Sequence, residues 1–217
     1  MSHANQSFEA RVSSSYDALS GYYDLLSGKA EQRLTQKALD MFNPDANSRM
    51  LDIGCGTGNA LLAMLDRYPV TWKISGLDIS KGMCRVAQQK LRRKKVTNSV
   101  GLYCANALNA PFPDRLFDGI LLSFTFELFP EDLFSPLLQE CRRLLKPGGS
   151  LVLVSMAAAQ KTGLVYRIYL WAHRKYPQWI DCRPVDAARI LEDNGFQVTE
   201  RETYNLFGLL VDSLLAI

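Results

Sequence analysis

Apolar positions along the chain fall into two alternating kinds of run. Short, nearly unbroken stretches at 49–53, 73–78, 100–105, 117–122 and 150–156 predict buried strands. Between them, 29–42, 57–68, 80–94 and 131–145 repeat apolar residues at helical spacing, as Leu61, Leu62, Met64 and Leu65 do. Strands alternating with helices predict an α/β fold, a Rossmann-like doubly wound sheet with mostly parallel strands. The segment "CRRLLKPGGS" ends a helix, with basic residues in its last turn followed by Pro147 and two glycines. Beyond the fifth strand, a helix over 184–194 stops at Asn194-Gly195, and the tail "FQVTERETYNLFGLLVDSLLAI" predicts an antiparallel hairpin turning near Asn205–Gly208. No repeat or low-complexity linker interrupts the pattern, which predicts a single domain over 1–217. Two parts stand outside the alternation. The N-terminal region, about 8–45 with its aromatic "YDALSGYYDLL", is expected to supply lid helices, and about 157–184 forms a substrate-side insertion.

Between the first strand and its helix lies Gly54-Cys55-Gly56-Thr57-Gly58, too rich in glycine to belong to either. Glycine lets a ligand approach the main chain closely, and doubly wound sheets bind nucleotides at this kind of turn. A dinucleotide fingerprint needs a third glycine at 59, where Asn59 stands, and a P-loop needs a lysine that is missing. Asp52, two residues before the turn, would repel a pyrophosphate and welcome an ammonium group. Asp78 ends the second strand, 22 residues after Gly56, where an acid commonly holds ribose hydroxyls. Together these point to an adenosine with a cationic amino-acid tail and no phosphate. S-adenosylmethionine fits and NAD fits poorly.

Five motifs carry a resemblance: "YDALSGYYD" (16–24), "LDIGCGTG" (51–58), "GLDISKGM" (76–83), "ANALNAPFPDRLFD" (105–118) and "LLKPGGSLVLV" (144–154). In them the chain resembles the class I S-adenosylmethionine-dependent methyltransferases, and within that fold the group of C-methyltransferases of ubiquinone and menaquinone biosynthesis. The resemblance implies that Gly54, Gly56 and Gly58, with Cys55 among them, approach the methionine and ribose parts, and that Asp52 lies near the ammonium. It implies ribose binding by Asp78, adenine packing by Ile79 and Met83, and an adenine-amine contact at Asn106, followed by Ala107. Asn106 stands where the family usually has Asp; its amide oxygen can still accept that bond. Tyr16 matches the aromatic that covers the cofactor, Tyr23 is a second such residue, and Ser123 and Phe124 end the fourth strand beside the methyl group. One departure stands out: the group usually carries an Arg-Asn pair after the fourth strand, and this chain reads "SFTFELFPED".

The implied activity is methyl transfer to a small, fairly apolar acceptor: a quinone precursor, a phenol, an amine or a lipid headgroup. Two alternatives stay open, a non-catalytic cofactor-binding module and an NAD-dependent oxidoreductase. A water-excluding aromatic pocket suits a sulfonium whose charge vanishes during transfer. Phe124, Phe126, Tyr166 and Trp171 are candidates for its wall, with His173 and Arg183 nearby. Glu127 is the candidate catalytic base; as a bland alternative, its carboxylate would simply accept backbone amides. The segment 161–176 reads as an amphipathic helix that roofs a lipophilic pocket or touches a lipid surface.

Composition narrows this picture only slightly. A net charge of +3, with one short basic run at 91–96, argues against nucleic acid as a partner. Five scattered cysteines without a CxxC pair, and two histidines, predict no metal site. Unpaired thiols and the lack of an apolar leader fit a cytoplasmic protein. Self-association through a sheet edge or the C-terminal hairpin is left open.

Overall fold

The computed structural model describes residues 28–43, 45, 47–68, 73–96, 100–158, 183–206 and 208–217. Among them seven strands form one sheet: β1 (Arg49–Ile53), β2 (Lys73–Asp78), β3 (Val100–Cys104), β4 (Phe117–Ser123), β5 (Leu145–Met156), β6 (Val198–Leu206) and β7 (Leu209–Ala216). Their order is β3-β2-β1-β4-β5-β7-β6, so the chain starts in the middle and reverses direction between β1 and β4. The pairs from β3 to β5 are parallel, while β7 inserts antiparallel between β5 and β6. The predicted mixed sheet with its terminal hairpin is what forms.

Strand alternation sends successive side chains to opposite faces, and the core divides accordingly. Met50, Leu121, Val152, Val154 and Val211 pack under α1 (Gly28–Ala38), α2 (Asn59–Arg67) and Leu91 of α3 (Lys81–Arg93). Leu51, Ile53, Ile120, Leu122, Leu151, Leu153 and Leu214 face α4 (Phe134–Leu144) and α5 (Ala187–Asp193). Near-continuous apolar strands are therefore required, because both faces are covered.

One strand is longer than its pattern predicts. β5 begins at Leu145 rather than 150, because the register jumps from Phe117↔Leu145 to Gly119↔Ser150. The irregularity absorbs the Lys146-Pro147-Gly148-Gly149 turn, with Gly148 at φ +77°, without ending the strand. Of the expected lid, only α1 and the 3₁₀ turn Leu39–Met41 fall within the described residues. The "YDALSGYYD" motif and residues 159–182 of the insertion lie outside them. No helix among the described residues is long and apolar enough to cross a membrane.

Candidate functional site

The glycine turn lies at the carboxyl end of β1, beside the reversal of strand order. The Gly54 and Cys55 N–H groups both donate to the Leu77 carbonyl, at 2.7 and 3.1 Å, which pins the turn to the neighbouring strand. Two of its glycines are glycine for different reasons. Gly54 has φ +73°, and a Cβ there would sit 2.3 Å from Thr125 Cγ2, so the protein's own packing excludes one. Gly56 has φ +51°, and a Cβ there would meet nothing within 4 Å. Its open side is a cleft of about 910 Å³, counted with its open mouth. Glu31 and Thr35 of α1, Asp52, Asn59 of α2, and Ser123 and Phe124 at the end of β4 all line it.

Two carboxyl groups set the electrostatics. Asp52 is only 1% exposed, yet it lines the cleft, and its Oδ2 has no hydrogen-bond partner among the described residues. Burial first, and then the negative charge of Asp78, push its pKa up to about 8. Asp78, at the end of β2, accepts from the Gly56 N–H through Oδ2 and from the Ser80 N–H through Oδ1, both at 2.8 Å. The second acid is thereby aimed across the glycine turn. Burial, reinforced by both acids, pushes the Cys55 thiol well above its ordinary range, which keeps it neutral and unreactive.

The segment that follows β2 is built by local capping. Ser80 Oγ accepts from the Met83 N–H at 3.1 Å and starts α3, and the Met83 side chain is buried beneath. Ile79 lies between, its carbonyl facing the Cys104 thiol at the end of β3. Beyond β3, Asn106 Oδ1 accepts from the Leu108 N–H at 2.8 Å and opens the 3₁₀ turn Ala107–Asn109, with Ala107 buried. The sequence led us to expect that oxygen to be open to a ligand amine. The cap instead commits a lone pair of that oxygen.

At the end of β4, Ser123 Oγ lies 2.7 Å from Thr35 Oγ1, and the Ser123 carbonyl accepts from the Thr125 hydroxyl at 3.1 Å. Phe124 takes φ +51° and faces the cleft, its N–H held by the Val154 carbonyl at 2.8 Å. Phe126, expected in the pocket wall, is fully buried and stacks on Phe134 with ring centroids 4.4 Å apart. It is a core residue, because the 3₁₀ turn Phe126–Leu128 directs it back under α4. Glu127, in the same turn, is 1% exposed, and its Oε1 accepts from the Met156 N–H at the end of β5, away from the cleft lining. Arg183 donates to the Phe129 carbonyl at 2.8 Å and to Glu131 at 3.0 Å, with its guanidinium over the Phe134 ring. Tyr16, Tyr23, Tyr166, Trp171 and His173 lie outside the described residues. Sequence reasoning missed Thr35 and Thr125, whose partners stand 88 and 71 positions away along the chain, with no local pattern to reveal them.

Comparisons with known proteins agree with this geometry. The model of a methyltransferase domain matches residues 50–149. Over 170 residues the chain is 31% identical to a demethylmenaquinone methyltransferase of Bacillus licheniformis, covering 76% of this chain and 71% of the relative. Over 162 residues it is 33% identical to the protein of that name from Thermus thermophilus, covering 74% and 70%. Among solved structures, a SAM-dependent methyltransferase from Aquifex aeolicus superposes with a TM-score of 0.67 at 20% identity, covering 88% of this chain and 94% of that one. With this strand order, this acid-flanked glycine turn and relatives of such identity and coverage, the chain belongs to the class I S-adenosylmethionine-dependent methyltransferases of the menaquinone and ubiquinone group.

Proposed function

We propose that this enzyme uses S-adenosylmethionine, held across the Gly54–Gly58 turn, to methylate a small apolar ring acceptor of the quinone-precursor type. One observation carries the placement. A buried acid, Asp52, lines the same cleft as Gly56, where a Cβ would meet nothing, so the wall favours a cation and the turn has room for its carrier. A pyrophosphate would bring negative charge against the Asp78 carboxylate, which disfavours NAD there.

In this reading Asp52 faces the ammonium, and Gly54, Cys55 and Gly56 along the cleft wall give the backbone its close approach, with Gly58 packed on Ala87 behind them. Asp78 is held by the Gly56 and Ser80 amides in position for the ribose hydroxyls. Ile79 and Met83 flank the adenine, and Asn106 meets its amine from the turn that it caps, with Ala107 beside it. The cofactor supplies a methyl group already activated on a sulfonium. The protein therefore contributes mostly placement and exclusion of water, and proximity of that kind is worth several kcal/mol of barrier. Phe124 lines the cleft at the end of β4, and an aromatic side chain there suits both a sulfonium and an apolar ring.

The acceptor class draws support from the relatives named as demethylmenaquinone methyltransferases. The usual Arg-Asn pair after the fourth strand is replaced here by "SFTFELF", which makes that side of the site more apolar. Labelled-methyl transfer tests the proposal, with short-chain demethylnaphthoquinols offered beside phenols, amines and lipid headgroups. Label on the quinol ring is expected. Label only on another class overturns the acceptor assignment, and calorimetry that shows binding of NAD but not of S-adenosylhomocysteine overturns the cofactor placement.

A further inference from the structure

The hydroxyl pair joining α1 to the end of β4 has a defined direction. Thr35 Oγ1 donates to the Glu31 carbonyl one turn back, at 3.0 Å. A hydroxyl has a single proton, so across the 2.7 Å contact Thr35 can only accept, and Ser123 must be the donor. The Ser123 proton is therefore committed to Thr35. What Ser123 shows the cleft is oxygen lone pairs alone. The same residue is fixed from the other side as well, since its carbonyl takes the Thr125 hydroxyl, which also reaches the Gly54 carbonyl at 3.4 Å. Glu31, Asp52 and Ser123 line one cleft, two of them carboxylates and the third a serine held in its accepting orientation.

We propose that Thr35 is a positioning residue: it orients Ser123 as a fixed acceptor for the ammonium of the cofactor's amino-acid tail. The inference rests on the cofactor placement given above and names a residue of α1 that acts on it without touching the chemistry. Thr35 is almost fully buried, so the arrangement is set before a ligand arrives and no solvent reorganisation opposes it.

The test is calorimetric and needs no acceptor. S-adenosylhomocysteine carries the ammonium tail, whereas 5′-methylthioadenosine shares the adenosine and the thioether but lacks it. Thr35→Val is expected to weaken S-adenosylhomocysteine about five- to tenfold, as the loss of one charge-assisted hydrogen bond should, while 5′-methylthioadenosine is unchanged. Thr35→Ser, which keeps the hydroxyl, should restore wild-type affinity. Ser123→Ala should reproduce the selective loss and serves as the readout if the valine variant does not fold. A parallel loss for both nucleosides, or no loss for either, overturns the proposal. Failure of the placement itself looks different: wild-type protein would bind both ligands, and Asp78→Ala would weaken neither.

Discussion

The ends of β1 and β2 and the loop after β4 use the same side chains to opposite purposes. At the first, Asp52 is buried in the wall of an open cleft, and Asp78 is braced by the Gly56 and Ser80 amides beside it. At the second, Glu127 is just as deeply buried, but its Oε1 is engaged by the Met156 amide, and Arg183 is spent on Phe129, Glu131 and the Phe134 ring. A carboxyl group set in the core holds the fold together; one that lines a cleft can meet a ligand. Burial alone does not separate the two cases, because both acids are 1% exposed. Their surroundings do: Asp52 lines the cleft, and Glu127 does not.

The comparison is sharpest within the glycine turn. Gly54→Ala forces a methyl group into Thr125 at a positive φ, and should cost about 3 kcal/mol of stability in denaturant melts. Gly56→Ala carries only the backbone strain, about 1 kcal/mol, because its Cβ enters the cleft. Its larger effect should be on S-adenosylhomocysteine affinity. Equal destabilisation by the two variants would erase the distinction between a glycine kept for packing and one kept for a ligand.

Asp78→Ala comes next. It removes two charge-assisted partners of the proposed ribose contact and releases the Gly56 and Ser80 amides, so S-adenosylhomocysteine affinity should fall about 100-fold. Unchanged calorimetric affinity would retire that role.

Asp52 gives a pH signature. Its pKa in the fold is raised from 3.8 to about 8, so the fold favours the neutral acid. Between those values the unfolded chain binds fewer protons than the native one, and stability contributed by this group falls as pH rises. A cationic ligand favours the ionised form instead. Affinity for S-adenosylhomocysteine should therefore climb with pH up to about 8, by at most about tenfold per unit, with proton release on binding. Asp52→Asn should flatten both profiles, and a wild-type affinity independent of pH from 6 to 8 would contradict the account.

Glu127→Gln is the mildest and tests the other side of the comparison. The amide can still accept from Met156, so stability should change by about 1 kcal/mol and methyl transfer should persist. A general base would show itself as a loss of kcat of about 100-fold or more at unchanged KM.

Much of the fold was legible in the sequence. The alternating runs placed β1 to β4 within a residue of their observed bounds, and the tail hairpin turned where Asn205 and Gly208 marked it. Where the pattern misled, a longer-range interaction had taken over. The start of β5 was hidden by Pro147 and the glycines, which end a helix in isolation but here form an irregularity paired to β4. Phe126 looked like pocket wall because aromatic residues after β4 can face either way, and its stacking on Phe134 decided the direction.

By itself, then, the chain determined the period of each element, the glycine turn and the two acids that flank it, since these follow from neighbours a few residues apart. Tertiary structure alone decided which glycine is filled by Thr125 and which opens on a cleft. It also decided that Glu127 meets Met156, and that a threonine of α1 sets the proton of a serine in β4. Hydrogen-bond direction and empty space belong to pairs of groups brought together from distant parts of the chain, and no local pattern encodes them.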